Sequence, residues 1–176
     1  MAEIEVSEPK MLVLENPEAD YEKMIKELEA KVQAAANVDG IRSGSIEVTS
    51  PLTNFTKTVL TKLDVKFWAG RSIHSFPDLK NNTTYLFGQR GTLPEGVKWG
   101  YSYATGKEST DRKWVAAFDY VAGKAYCECG PTGPVDWNVV ADKLSKSESK
   151  MEYVDPIFGG RIVARVAGDQ LISTLW

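Results

Sequence analysis

The run Val97-Lys98-Trp99-Gly100-Tyr101-Ser102-Tyr103 constrains this chain more than any other stretch. Successive strand residues point to opposite faces, so Val97, Trp99, Tyr101 and Tyr103 share one side of a strand. A polar loop from Ala104 to Lys113 follows, and the pattern restarts at Trp114-Val115-Ala116-Ala117-Phe118-Asp119-Tyr120. Two such runs around a turn-rich loop predict an antiparallel hairpin in a largely β body.

Other segments repeat the signal. Ile46 and Val48 alternate with polar residues. Val59, Thr61, Leu63, Val65 and Phe67 form a longer alternating run opposite Lys62, Asp64 and Lys66, broken at Ala69-Gly70. Short strands are predicted at Ile73–Phe76, Tyr85–Phe87 and Ala125–Cys129. Gly130-Pro131-Thr132-Gly133-Pro134 cannot extend a central strand and must be a loop. Asp136 to Leu144 suits a short helix. Arg161–Ala167 and Gln170–Trp176 suit a closing hairpin around Gly168-Asp169. Short strands punctuated by Gly, Pro and Asn predict a mainly β fold, an antiparallel β-sandwich.

One helix stands ahead of this body. Asn16 is a good N-cap, Pro17 suits the first helical position, and Glu18 and Asp20 favour the positive end of the dipole. Tyr21, Met24, Ile25, Leu28, Val32 and Ala35 recur at three- and four-residue steps, while Glu22, Lys23, Lys26, Glu27 and Lys31 cover the other face. The spacing predicts an amphipathic helix over 17–36, stopped at Asn37-Val38-Asp39-Gly40. Its polar face is mixed rather than Lys/Arg-rich, which favours packing on the sandwich over lying in a membrane interface. Residues 1–15 are expected to form a flexible arm whose Met11-Leu12-Val13-Leu14 patch is an edge strand or a docking segment. Residues 16–176 are expected to form a single domain, since a chain of 176 residues can bury one sufficient core.

Charge narrows the partners. With 21 basic against 24 acidic side chains and a net charge of −3, the chain shows no basic stripe, which argues against nucleic acid. No apolar stretch reaches the ~20 residues of a transmembrane span, and the acidic first residues lack a signal-peptide core, so a cytoplasmic setting is expected. The sequons at Asn54, Asn81 and Asn82 are then idle. Cys127 and Cys129 are two apart on one strand, a spacing that suits neither a disulfide nor zinc, and are expected to be reduced thiols.

The sequence offers no catalytic motif. His74 is the single histidine, no nucleophile elbow accompanies it, and no carboxylate pair stands out. Gly88-Gln89-Arg90-Gly91 and Phe158-Gly159-Gly160-Arg161 lack the context of a phosphate cradle and are turns first. No catalytic residue, metal or cofactor is expected. The turn-proximal tryptophans Trp68 and Trp137 carry the best functional signal, because an indole beside polar neighbours can stack on a sugar ring or sit at a lipid head-group layer. Arg71, His74, Asp136 and Asn138 are their neighbours in sequence, and together these six form the expected ligand surface.

The order of Phe67-Trp68-Ala69-Gly70-Arg71-Ser72-Ile73, Lys98-Trp99-Gly100-Tyr101-Ser102-Tyr103, Trp114-Val115-Ala116-Ala117-Phe118 and Ala125-Tyr126-Cys127-Glu128, ahead of a C-terminal strand pair, resembles the jasmonate-induced proteins of plants. That resemblance implies a β-rich body behind a helical leader and a stress or defence association. A looser order of landmarks is similar to the actinoporin-like and aegerolysin-like sandwiches, which bind lipids and in part form pores. The expected function is therefore a non-enzymatic binding protein for a glycan or a protein partner. One alternative is a lipid-binding or membrane-active protein. Another is an enzyme, or an accessory to one, using His74 and a carboxylate in a sheet-end pocket.

Overall fold

The computed structural model describes residues 6–36, 44–157 and 159–176, with backbone alone for 32–36. The helix stop predicted at 37–40 lies outside the described residues.

Within the arm expected over 1–15, Lys10–Val13 forms β1, and Leu14 is buried behind it. Helix α1 then spans Pro17–Ala36. Its start is held reciprocally: the Asn16 carbonyl accepts from the Asp20 amide (2.8 Å), and the Asn16 amide donates to the Asp20 carboxylate (2.9 Å). Strands β2 (Ser45–Asn54), β3 (Thr61–Ala69), β4 (Arg71–Ser72), β5 (Thr83–Thr92), β6 (Lys98–Ala104), β7 (Arg112–Asp119) and β8 (Lys124–Pro131) follow. Helix α2 (Trp137–Ser145) precedes β9 (Lys150–Val154), β10 (Arg161–Ala167) and β11 (Gln170–Leu175).

These strands build two sheets. One has the order β1-β5-β2-β11-β10-β9, with β4 added on β5; the other has the order β3-β6-β7-β8. Face to face they form the predicted β-sandwich. Several details depart from the sequence reading, among them that Gly88–Gly91 lies within β5 rather than in a turn and that β8 runs on through Gly130 and Pro131. The closing strand β11 runs parallel to β2, so the sandwich is not purely antiparallel. Ile73–Phe76 is not a strand; the short pairing falls at Arg71–Ser72, and His74 makes one isolated bridge to Ser7.

The aromatic alternation behaves as its period requires. Val97, Trp99, Tyr101 and Tyr103 all enter the core between the sheets, with Trp114, Ala116 and Phe118 from β7 and Ala125, Cys127 and Cys129 from β8. The polar tips of the core aromatics find partners. The Trp99 indole donates to Ser50 (3.2 Å), Ser50 to Gln89 (2.7 Å), Tyr101 to Ser173 (2.7 Å) and Tyr103 to the Pro77 carbonyl (2.9 Å). Both cysteines are free and buried; desolvation pushes the Cys127 thiol up to about 12 and the Cys129 thiol up to about 11.

Each sheet also has an outer face. On the smaller one, Val115, Ala117 and Tyr126 form a second apolar cluster under Val140 and Leu144 of α2. On the larger one, α1 lies over β11: Tyr21 hydrogen-bonds Thr174 (2.6 Å) and Glu29 pairs with Arg165 of β10 (2.8 Å). No helix among the described residues is long and apolar enough to cross a membrane.

Candidate functional site

Trp68 and Arg71 reach one surface because the chain turns sharply between them. Gly70 sits at φ +80°, and a Cβ there would meet the Arg90 carbonyl at 2.7 Å, so only glycine allows this close approach. The turn ends β3 on the smaller sheet and starts β4 on the larger one, so it crosses the edge of the sandwich. Arg71 then lies directly opposite Arg90 of β5. Arg90 is paired with Glu47 across β2 (3.0 Å), whereas Arg71 makes no ion pair among the described residues. Trp68 and Arg71, with Arg90, Thr92 and Glu95, line an open cleft of about 500 Å³. The Lys98 ammonium stands over the Trp68 ring, 5.5 Å from its centroid.

Trp137 arrives from far along the chain. Asp136 caps α2, its side chain accepting from the amides of Asn138 (3.1 Å) and Val139 (3.3 Å). That cap starts the helix where Trp137 meets Trp68 edge-on, with ring centroids 5.7 Å apart. The Trp137 indole donates to Asp64 (2.6 Å), and its ring covers Gly100, where a Cβ would be 2.8 Å from it. On the other side lies a second cleft, about 410 Å³, lined by Leu63, Asp64, Lys107 and the loop from Thr132 to Val135. The register of β3 against β6 shifts between Lys62 and Asp64. This bulge takes Leu63 out of the alternation that predicted an inward position and sets it beside Asp64 in the cleft wall.

The six expected residues thus separate into groups. Trp68, Arg71 and Trp137 converge. Asp136 serves the helix, and Asn138 is exposed on its first turn. His74 lies apart from the Trp68 cleft; its Nδ1 accepts the Gly88 amide of β5 at 2.7 Å. Asp64 and Lys98 join the site without having been singled out in the sequence, and Arg90, weighed there only within the Gly88–Gly91 turn, joins it from β5. Alternation places Asp64 on the polar face of its strand, but nothing local announces that Trp137 will reach it.

His74 carries a pH signature. Desolvation lowers its pKa from the ordinary 6.5, against an opposing pull from Glu47. Between the lowered folded value and the unfolded one, the unfolded chain binds more protons. Stability is therefore undiminished above the unfolded value and falls as pH drops through 6.5 toward the folded one. Melting temperatures from about pH 7.5 to 5.5 are expected to decline less steeply in His74→Gln than in the native protein. Parallel curves would show that this imidazole does not sense acid.

A further cleft lies between α1 and the larger sheet. Tyr21, Phe55 and Trp176 line it with Lys57, Asn82 and Arg161, enclosing about 520 Å³. Arg161 lies 4.2 Å over the Trp176 ring, and Tyr21 meets Phe55 edge-on at 5.4 Å. The two non-glycine residues with positive φ among the described residues, Lys57 (69°) and Asn82 (52°), both border it. Next to Arg161, the end of β9 exposes Val154 (56%), and the following turn exposes Ile157 (81%).

Among the described residues no group of three His, Cys, Asp or Glu side chains could hold a metal ion. No family model matches the chain, and no curated protein matches it. Similarity is to solved structures, at the level of fold. A crystal structure titled as the lipid-binding protein Nakanori is similar at 10% identity and a TM-score of 0.62, covering 88% of this chain and 78% of that one. The lectin of Xerocomus chrysenteron is similar at 12% identity and a TM-score of 0.44, covering 74% of this chain and 98% of the lectin.

Proposed function

We propose that this chain is a non-catalytic binding protein that takes a glycan at the Trp68–Trp137 corner. The observation that supports this is the edge-on meeting of two half-buried indoles, with one cleft open along Trp68 and another beside Asp64, the residue that holds Trp137. A pyranose presents an apolar C–H face that stacks on an indole, while its hydroxyls need acceptors and donors at the rim. Asp64 is an acceptor held in place by Trp137, and Arg71 and Arg90 are donors. His74, by contrast, spends its acceptor nitrogen on a backbone amide and carries no reaction in this reading.

The two tryptophans are expected to behave differently when truncated. Trp68→Ala should abolish retention on a glycan array at a stability cost of about 1 kcal/mol, because part of its ring already faces solvent. Trp137→Ala should cost about 3 kcal/mol, because its ring covers Gly100 and anchors α2. Undiminished array binding by a folded Trp68→Ala protein would reject the corner as the site.

A second reading, a lipid-surface protein, is favoured by the other end of the molecule. Ile157 projects from the turn beside the aromatic cleft of Tyr21, Phe55 and Trp176, with Lys57 and Arg161 to meet head groups. The fold likeness to a lipid-binding protein agrees with it. Ile157→Ser is expected to weaken sedimentation with phosphatidylcholine–phosphatidylserine vesicles several-fold. Native protein that stays in the supernatant would remove this reading. The stress or defence association and the cytoplasmic setting are parts of the proposal that rest on the sequence reading.

A further inference from the structure

We infer that the ligand of the Trp68 cleft is an acidic saccharide, one whose sugar carboxylate is received by Arg71; this rests on the glycan reading and narrows it. Three observations converge. Arg71 and Arg90 face each other in register across β4 and β5, and like charges directly opposite on a sheet destabilise it. Arg90 has Glu47 as a counter-charge, but Arg71 has none within ion-pair reach among the described residues. A guanidinium in that position favours an anion from outside, and its planar fork matches a carboxylate through two parallel hydrogen bonds.

The surroundings fit the same ligand. Lys98 adds a third cation beside the Trp68 ring. Glu95 is the acidic side chain on the cleft wall, against Arg71 and Arg90. With Glu47 counted, three cations stand beside two carboxylates, and Arg71 is the cation whose counter-charge is missing, in a chain whose net charge is −3. Gly70 has to adopt φ +80°, pressed against the Arg90 carbonyl, for Arg71 to arrive there. A cleft of about 500 Å³ holds one or two sugar rings. One ring would lie against Trp68 with its carboxylate toward Arg71, and the next would run toward the Trp137 side.

Titration calorimetry with trigalacturonate and with sialyllactose, each compared with its methyl ester, tests this. The ester keeps the rings and removes the charge. At least one acid is expected to bind about tenfold or more tightly than its ester, and to weaken as salt rises from about 20 to 200 mM. Arg71→Gln should remove most of that preference, lowering acid affinity far more than ester affinity, whereas Trp68→Ala should lose acid and ester alike. Arg71→Lys keeps the charge without the fork and should restore only part of the preference.

Equal affinity for acid and ester would overturn the inference and leave the glycan reading standing, as would array binding confined to neutral glycans. A blank array together with no heat from any of these sugars would overturn both. So would Arg71-dependent binding to phosphatidylserine vesicles without sugar binding, which would assign the anion to a lipid head group.

Discussion

Trp99→Ala is expected to lower the stability of this protein by about 4 kcal/mol, the range for deleting a fully buried tryptophan. Trp99 is 0% exposed, stacks on Phe67 with centroids 5.5 Å apart, and also meets Phe76, Tyr101 and Phe118. Its removal leaves a cavity where both sheets meet, which the surrounding rings cannot collapse to fill without leaving their rotamers. The loss is a large fraction of the ~5–15 kcal/mol that holds an ordinary domain folded. Trp99→Phe keeps most of the volume and gives up the hydrogen bond to Ser50, so it should cost about 2 kcal/mol. Urea unfolding followed by circular dichroism checks both. A midpoint shift worth less than 1 kcal/mol in Trp99→Ala would mean that the inter-sheet core does not depend on this ring.

The second large effect is expected at Asn54, which is 0% exposed at the end of β2. Its amide nitrogen donates to the carbonyls of Thr58 (2.9 Å) and Leu79 (3.0 Å). Its oxygen accepts from the Thr56 amide (2.9 Å) and hydroxyl (2.6 Å). These bonds hold the loop on which Lys57 adopts φ 69°. Asn54→Ala removes all of them and is expected to cost about 3 kcal/mol, since four hydrogen bonds of a fully buried side chain are lost together and the Leu79 carbonyl keeps only the Leu60 amide. Asn54→Asp is the sharper variant. A carboxylate there would face two carbonyls, so its folded pKa should rise above the unfolded 3.9 or so. The folded state then holds the extra proton, and stability should fall as pH rises from about 4 toward neutrality. A flat dependence over that range would show that the loop opens to water. The same burial explains why the sequon at Asn54 has no accessible amide in the folded chain.

What could be read in the sequence follows the range of each signal. The period of two along 97–103 and 114–120 is local, and it placed Trp99, Tyr101, Tyr103, Trp114 and Phe118 on the inner faces they occupy. Helix starts are local too. Asn16 is legible as a cap, and Asp136 carries the same signature: one oxygen of its carboxylate accepts the Asn138 and Val139 amides. The bulge at Leu63 was not legible, because an alternating run gives no sign that one residue will be left over. Neither was the opposition of Arg71 and Arg90, which depends on how β4 docks on β5, nor the indole bond from Trp137 to Asp64. Parallel pairing of β11 with β2 also escaped, since hairpin rules join only neighbours in the chain.

That pairing bears on how the molecule can be made. On a ribosome, β2 and β10 leave the exit tunnel before the strand that will lie between them, so each presents an unsatisfied edge in the meantime. The larger sheet closes only when Gln170–Leu175 slots in beside residues that emerged long before. Until then the nascent polypeptide is most at risk of associating with its own copies, a hazard set by strand order and not by the strength of the finished fold.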